Sequence, residues 1–459
     1  MNLPSAAITP TFSLFFTVFL ACKAYAVEVV DDLKLVQLIF RHGDRAPLHA
    51  YKNDPYPESM WENGMGRLTK IGMEQQFEAG KFYRQRYSKF LDPSYGPNQV
   101  YIRSSDTDRT LESAEAFAAG LFPPTPETEW NGDLGKSWRP VSIHTIPLDE
   151  ENLLSKKTAC PAFFRLAKEA VDLPEARRLY KKYRAVFEYV VKGSGLSAPD
   201  RAAAWNVTFH VHDVIYCQRA HGKPLPVWMN ESVYTDIAFL SDSFFQLQFG
   251  ANKDKPRARL AGGNFLALLL KQMQDAVRSN VTAADKDRTK AFIYSAHDST
   301  VAGILATLEL YNGYNKSTGF IGIPQYTSTV LIELFKNNTV RISFKNTLKE
   351  IASLEPQVLQ HANCGIFCPF DKLVEITKDY VVKDWDKECH TGEFGEGIDV
   401  DDVEIALITV ILVIILTTFA LGCYKRRSQK KSPLLGNVSR PESGLSVTYS
   451  RLDQEDASV

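Results

Sequence analysis

Three short apolar runs, each ending in charged or polar residues, constrain this chain more than any other feature. Leu33 to Phe40, Gln99 to Ser105 and Ala291 to Asp298 are rich in β-preferring residues. Runs of this kind read as strands buried on both faces. Helical patterns lie between them. Leu68 to Tyr87 places Ile71, Gln75, Ala79 and Phe82 on a common face. After Thr107 or Asp108, either of which suits a helix cap, Leu111, Ala114, Phe117, Ala118 and Leu121 turn inward until Pro123 and Pro124 end the helix. Strand, helix and strand in this order predict an α/β fold, and ligands of such sheets bind beyond the carboxyl ends of the strands.

The residues at those ends carry phosphate chemistry. The first run leads into Arg41 to Pro47, R-H-G-D-R-A-P. Arg binds phosphate oxygens through a planar fork, and a His between two such forks is placed to attack phosphorus rather than to hold a metal. Gly43 lets backbone approach a ligand closely. An isolated R-x-x-x-R would read as a solvated basic loop, but the His and Gly inside it, with matching segments downstream, reverse that reading. Arg103 sits where the second strand becomes loop, at the same edge; its structural alternative is an ion pair with Asp106 or Asp108, a role that suits Arg109 better. The third run ends in His297 and Asp298 before an apolar helix, Thr300 to Leu310. In isolation that segment would read as a capping Asp beside a chance His.

R-H-G-D-R-A-P resembles the signature of the histidine acid phosphatases, a family within the histidine phosphatase superfamily. Leu68 to Gln75, Tyr101 to Thr110 and Tyr294 to Asp298 resemble its other motifs, in its order, so the likeness spans about Leu33 to Cys389 and is nearest to the prostatic and lysosomal type. The resemblance implies a phosphoglycerate-mutase-like, mainly parallel sheet flanked by helices, with an inserted α-helical cap. It implies His42 as the nucleophile and Asp298 as the proton donor. Arg41, Arg45, Arg103 and His297 would bind the phosphate, with no metal and no other cofactor. Asp44 and Arg109 are expected to be supporting, ion-paired residues. Disulfides Cys160–Cys389 and Cys364–Cys368 follow from the same resemblance, as does a homodimer by analogy. Cys217 is left over, because its usual partner position falls near Thr329.

The ends of the chain lie outside this domain. Residues 1–26 read as a signal peptide, with an apolar run from Thr11 to Cys22 and the small-x-small site Ala24 to Ala26. Residues 27–396 form the lumenal or extracellular domain and 397–404 an acidic linker. Ile405 to Tyr424 carries no charge over the length of a bilayer core, and Lys425, Arg426 and Arg427 follow it, so a single transmembrane helix is expected with the tail, 425–459, in the cytosol. Tyr449 to Leu452 fits a sorting-adaptor signal. A type I membrane protein of lysosomes and endosomes, or of the plasma membrane, follows.

Sequons at Asn206, Asn230, Asn280, Asn315 and Asn337 predict lumenal glycosylation. The cysteines suit the same oxidising compartment. Cys364-x-x-x-Cys368 as a zinc half-site lacks a second ligand pair. From about 149 to 250 the chain turns to charged helical stretches, the expected cap. His210 and His212 within it lack a third metal ligand nearby. Trp138 to Ile146 reads as a further strand, with His144 as a site-rim or core histidine. Thr329 to Phe335 and Thr339 to Phe344 read as a hairpin that adds antiparallel strands at one sheet edge.

A formal net charge of −1 over 459 residues offers nothing to nucleic acid, so phosphate recognition has to be local. The reading is an acid phosphatase for small-molecule or protein phosphomonoesters. Neighbouring arginines keep His42 unprotonated at low pH, whereas Asp298 acts only when protonated, so an acid optimum follows. A phytase or inositol-polyphosphate phosphatase would show a strongly basic rim, and the cap has no concentrated Lys/Arg run. A non-catalytic membrane glycoprotein would tolerate loss of His42 and of the His297–Asp298 pair, and both are intact.

Overall fold

A computed structural model describes residues 28, 30–155, 160–251, 254–279, 288–311, 322–346 and 355–391. The expected signal peptide, transmembrane segment and Tyr449 lie outside these residues, as do Asn280 and Asn315. No helix of the described residues is long and apolar enough to cross a membrane.

The described strands are β1 (Leu33–Arg41), β2 (Val100–Ser104), β3 (Ile143–His144), β4 (Ala291–Ala296), β5 (Thr329–Phe335), β6 (Thr339–Lys345), β7 (Gln357–Leu359) and β8 (Phe367–Pro369). They form one sheet in the order β3-β2-β4-β1-β5-β6-β7, with β8 on β6. The pairs among β3, β2, β4 and β1 are parallel, and every pairing from β1 through β5 to β6, β7 and β8 is antiparallel. The sheet is therefore mixed rather than mainly parallel. The β5–β6 hairpin adds its antiparallel strands beside β1, at one edge of the parallel strands as expected, and the short strands β7 and β8 extend it.

Helices cover both faces, as strands apolar on both sides require. On one face lie α1 (Lys70–Arg86) and α2 (Asp108–Leu121); Phe40 of β1 stacks on Phe117 of α2 with ring centroids 4.7 Å apart. On the other lie α8 (Lys255–Arg278) and α9 (Asp298–Thr307), which pack Phe265, Leu269 and Ile304 around Leu35 and Ile39. Between β3 and α8 the described chain is helical: α3 (Pro161–Glu169), α4 (Pro174–Lys182), α5 (Arg184–Ser194), α6 (Arg201–Ala220) and α7 (Glu231–Gln248) build the cap. Two more helices, α10 (Phe370–Thr377) and α11 (Trp385–Thr391), close the described chain.

Helix α1 buries Ala79 and Phe82 as expected, but its first half is turned from the expected register. Ile71 is 36% exposed, and the buried line runs through Gly72, Gln76, Ala79 and Tyr83. The cause is a backbone contact with the signature loop: a Cβ on Gly43 would lie 2.3 Å from the Gly72 carbonyl oxygen. Gln76 then donates to the Arg41 carbonyl at 2.9 Å, and Gln75 accepts from Asp44 N–H at 2.8 Å. Only Ile143 and His144 of the strand expected from Trp138 to Ile146 pair with β2. His144 is exposed and stacks on Tyr101, centroids 4.7 Å apart, so it is neither a core residue nor part of the site.

The bridges Cys160–Cys389 and Cys364–Cys368 are both formed. The first ties the start of α3 to α11. Asn206, Asn230 and Asn337 are exposed, and Asn230 also caps α7.

Candidate active site

The carboxyl ends of β1 and β4 open into a cavity of about 550 Å3 beneath the cap, lined by Arg41, His42, Arg45, Arg109, His297 and Asp298 at its polar end. Parallel pairing of β1 with β4 sets Arg41 beside Ala296, which brings the two motifs together.

His42 is buried and its orientation is fixed. Its Nδ1 lies 2.8 Å from the Gly43 carbonyl oxygen, which can only accept, so Nδ1 carries the proton and Nε2 keeps a lone pair. Nε2 has no hydrogen-bond partner among the described residues. Burial, followed by the charges of Arg109, Arg41, His297 and Arg45, holds its pKa well below that of an ordinary histidine. The imidazole is thus neutral and nucleophilic in acid.

Three guanidinium groups surround it. Arg41 donates to the Pro324 carbonyl at 2.6 Å, pairs with Asp298 at 2.9 Å and lies over the Tyr326 ring, 4.3 Å from its centroid. Arg45 is clamped by Asp213 of α6, and that carboxylate holds it well above the usual arginine range despite burial. Arg109 is different. It has no ion-pair partner among the described residues, and burial with the charge of Arg45 pushes it down to about 10. The Nε atoms of Arg41 and Arg109 are buried without a hydrogen-bond partner. Unanswered buried donors around one cavity fit an anion.

Arg103 is not among these groups, contrary to the sequence expectation. It pairs with the fully buried carboxylate of Glu151 at 2.9 Å and does not line the cavity. Side chains alternate along β2, so Arg103 shares the face of Tyr101, which stacks on His144. Arg109, expected to be a supporting ion-paired residue, instead enters from the first turn of α2 and takes its place.

His297 closes the polar end, its ring edge-on to His42 with centroids 5.7 Å apart. Its Nε2 meets Ser105 Oγ at 2.9 Å, and its Nδ1 faces Arg109 Nη2 at 3.4 Å. Asp298 opens α9, with its carboxylate on Arg41 and on the N–H of Ser299.

Sequence reasoning missed which residues of the cap reach the signature loop. Asp213, Cys217 and His221 recur every four residues and so share one side of α6 and its cap residue. Each meets the signature loop or its backing: Asp213 meets Arg45, Cys217 Sγ lies 3.2 Å from Tyr326 Oη, and His221 Nε2 lies 2.7 Å from Asp44 Oδ2. Cys217 is a buried free thiol, pushed up to about 12 by burial, with Thr329 in β5 where its usual partner was expected. His210 and His212 line the cavity, and among the described residues no group of three His, Cys, Asp or Glu side chains is disposed to hold a metal.

The family profile of the Histidine phosphatase superfamily (branch 2) matches residues 32–347. Prostatic acid phosphatase of Homo sapiens is 36% identical over 373 residues, 80% of this chain and 91% of that protein. Lysosomal acid phosphatase of Rattus norvegicus is 34% identical over 395 residues, 84% of this chain and 88% of that protein. Among solved structures, the phytase from Citrobacter braakii superposes with a TM-score of 0.56 at 18% identity, over 78% of this chain and 99% of that one, a likeness of fold.

Proposed function

This chain belongs to branch 2 of the histidine phosphatase superfamily and is a phosphatase; on that premise we propose that it is an acid phosphatase that hydrolyses phosphate monoesters through a phosphohistidine on His42. The observation that carries this reading is the pinned imidazole, with its free Nε2 turned to a cavity that holds three guanidinium groups.

The substrate phosphate sits among Arg41, Arg45, Arg109 and His297, which answer the charge on the equatorial oxygens. His42 Nε2 attacks phosphorus, and the P–O ester bond breaks as the N–P bond forms. Asp298, protonated, gives its proton to the leaving oxygen. The carboxylate then takes a proton from water as that water attacks phosphorus, and the N–P bond breaks to release inorganic phosphate. Asp298 stands beside Arg41, so acid and phosphate clamp are held together. An acid optimum follows from the two protonation states this sequence requires.

The sequence segments outside the described residues support a type I membrane protein, the lysosomal relative supports a lumenal catalytic domain, and the exposed sequons at Asn206, Asn230 and Asn337 support glycosylation. Hydrolysis of 4-nitrophenyl phosphate by the wild type and by His42→Ala, from pH 4 to 8 without added metal, tests the catalytic reading. Acid-favoured turnover that falls on the order of 10^4-fold in the variant is expected. Turnover retained by the variant, or a maximum above neutrality, overturns the assignment.

A further inference from the structure

The cavity has two chemically different ends. The cationic end faces His42; α3, α6, both ends of α7 and its cap residue present Phe163, Phe209, Tyr234, Phe245 and Phe249 to the rest of the cavity. Three carboxylates reach this space. Asp298 is neutralised by Arg41 and Asp213 by Arg45. The third, Asp242 of α7, has no ion-pair partner among the described residues.

Its setting is built rather than incidental. Asp242 Oδ1 accepts the Ile323 N–H at 2.8 Å, and Oδ2 has no hydrogen-bond partner among the described residues. Backbone is fitted against the carboxyl group: a Cβ on Gly322 would lie 2.3 Å from Asp242 Cγ. The titratable groups that face it are Tyr234 on its own helix and Tyr311 beyond α9, both pushed up and therefore neutral. Burial pushes Asp242 itself up to about 6. A carboxylate in an apolar enclosure is costly unless a donor or cation answers it, and the proposed hydrolysis does not use this one.

The distance to the phosphate end is short. Ile323 holds Asp242 through its N–H, and the next residue, Pro324, accepts from Arg41 through its carbonyl. Two residues span at most about 7 Å, so with hydrogen bonds of 2.8 and 2.6 Å at its ends the path from the Asp242 carboxylate to the Arg41 guanidinium is at most about 12 Å. A ligand phosphate on Arg41 therefore places a group a few bonds along its leaving alcohol within reach of Asp242.

Resting on the phosphatase reading above, we infer that Asp242 and the aromatic side chains around it form a subsite for a protonated amine, so that the preferred substrates are phosphomonoesters of apolar amino alcohols with the amine a few bonds from the ester oxygen. The ammonium meets a carboxylate and aromatic faces together, and the remaining chain lies along the phenylalanines.

The test compares hexyl phosphate with 2-aminohexyl phosphate at pH 7 and pH 5, with 4-nitrophenyl phosphate as a reference that lacks an amine. The wild type is expected to favour the amine in kcat/KM by about tenfold at pH 7, and by less at pH 5, where Asp242 takes up a proton. Asp242→Asn brings the ratio to about one while 4-nitrophenyl phosphate turnover stays within about twofold. Equal kcat/KM for the two alkyl substrates in a wild type that turns over the reference overturns the subsite and leaves the phosphatase reading standing. An amine preference that survives in Asp242→Asn overturns it as well. If the wild type does not hydrolyse the reference, the phosphatase reading falls and the subsite with it. Should Asp242→Asn not fold, the wild-type ratio and its change with pH decide.

Discussion

Asp213 and Arg45 meet fork to fork: the two carboxylate oxygens stand 2.9 and 3.2 Å from the two terminal guanidinium nitrogens. One partner belongs to the cap and the other to the signature loop, so the cap sets the aim of a group to which the proposed hydrolysis assigns phosphate binding. Asp213→Asn loses one arm of a charge-assisted pair and leaves a buried Arg45 half-satisfied, at a cost of about 2 kcal/mol. Competitive inhibition by inorganic phosphate is expected to weaken about tenfold, and Asp213→Glu to restore part of it. An unchanged inhibition constant would sink this positioning role, because a purely structural contact would lower stability without moving it.

Arg109 and Arg103 lie six residues apart and are expected to separate cleanly. Arg109→Ala removes a guanidinium that has no ion-pair partner among the described residues, beside His42 and His297. Its kcat/KM on an aryl phosphate should fall by about 100- to 1000-fold, the loss seen when one donor to a developing charge is removed. Arg103→Ala removes one partner of the ion pair with the buried Glu151 carboxylate, so it should unfold at lower urea, by about 3 kcal/mol, with activity changed less than threefold. The reverse ordering of the two variants would return Arg103 to the site.

That pair shows where the sequence could be read and where it could not. Strands β1, β2 and β4 were legible because apolar residues fill both faces, and Arg41, His42, Arg45, His297 and Asp298 come together because parallel pairing of β1 and β4 aligns their ends. Arg103 was misplaced because being at a strand's end does not say which face a side chain takes. The two-residue alternation from Tyr101 to Arg103 held that information. The spacing Asp213, Cys217, His221 was legible as one helix side, but nothing local says what a helix side meets. Strands β7 and β8, three residues each, are too short to show periodicity, and so the antiparallel half of the sheet was under-read.

His212 makes acid a partial denaturant. Burial pushes its pKa down to about 4, so between that value and about 6.5 the unfolded chain binds a proton that the folded one does not. Stability therefore rises with pH through this window, and at pH 5 the residue costs about 2 kcal/mol relative to neutrality. His212→Gln should narrow the gap between unfolding free energies at pH 7 and pH 5 by about that amount, even if packing against Tyr216 and Tyr234 is lost at both. Urea titrations at the two pH values measure it, and an unchanged gap would show that His212 is protonated in the folded state.

The two disulfides differ in what they restrain. Cys160–Cys389 closes a separation of 229 residues and Cys364–Cys368 one of 4. In the chain-entropy account a bridge acts on the unfolded ensemble in proportion to the logarithm of the loop it closes, which puts the longer one about 3 kcal/mol ahead. It also anchors α3, the helix that carries Phe163 into the cavity wall. Replacing Cys160 and Cys389 together with serine should therefore lower the urea midpoint much further than replacing Cys364 and Cys368. Equal losses would mean that the unfolded chain keeps the two ends of the long loop together without the bridge.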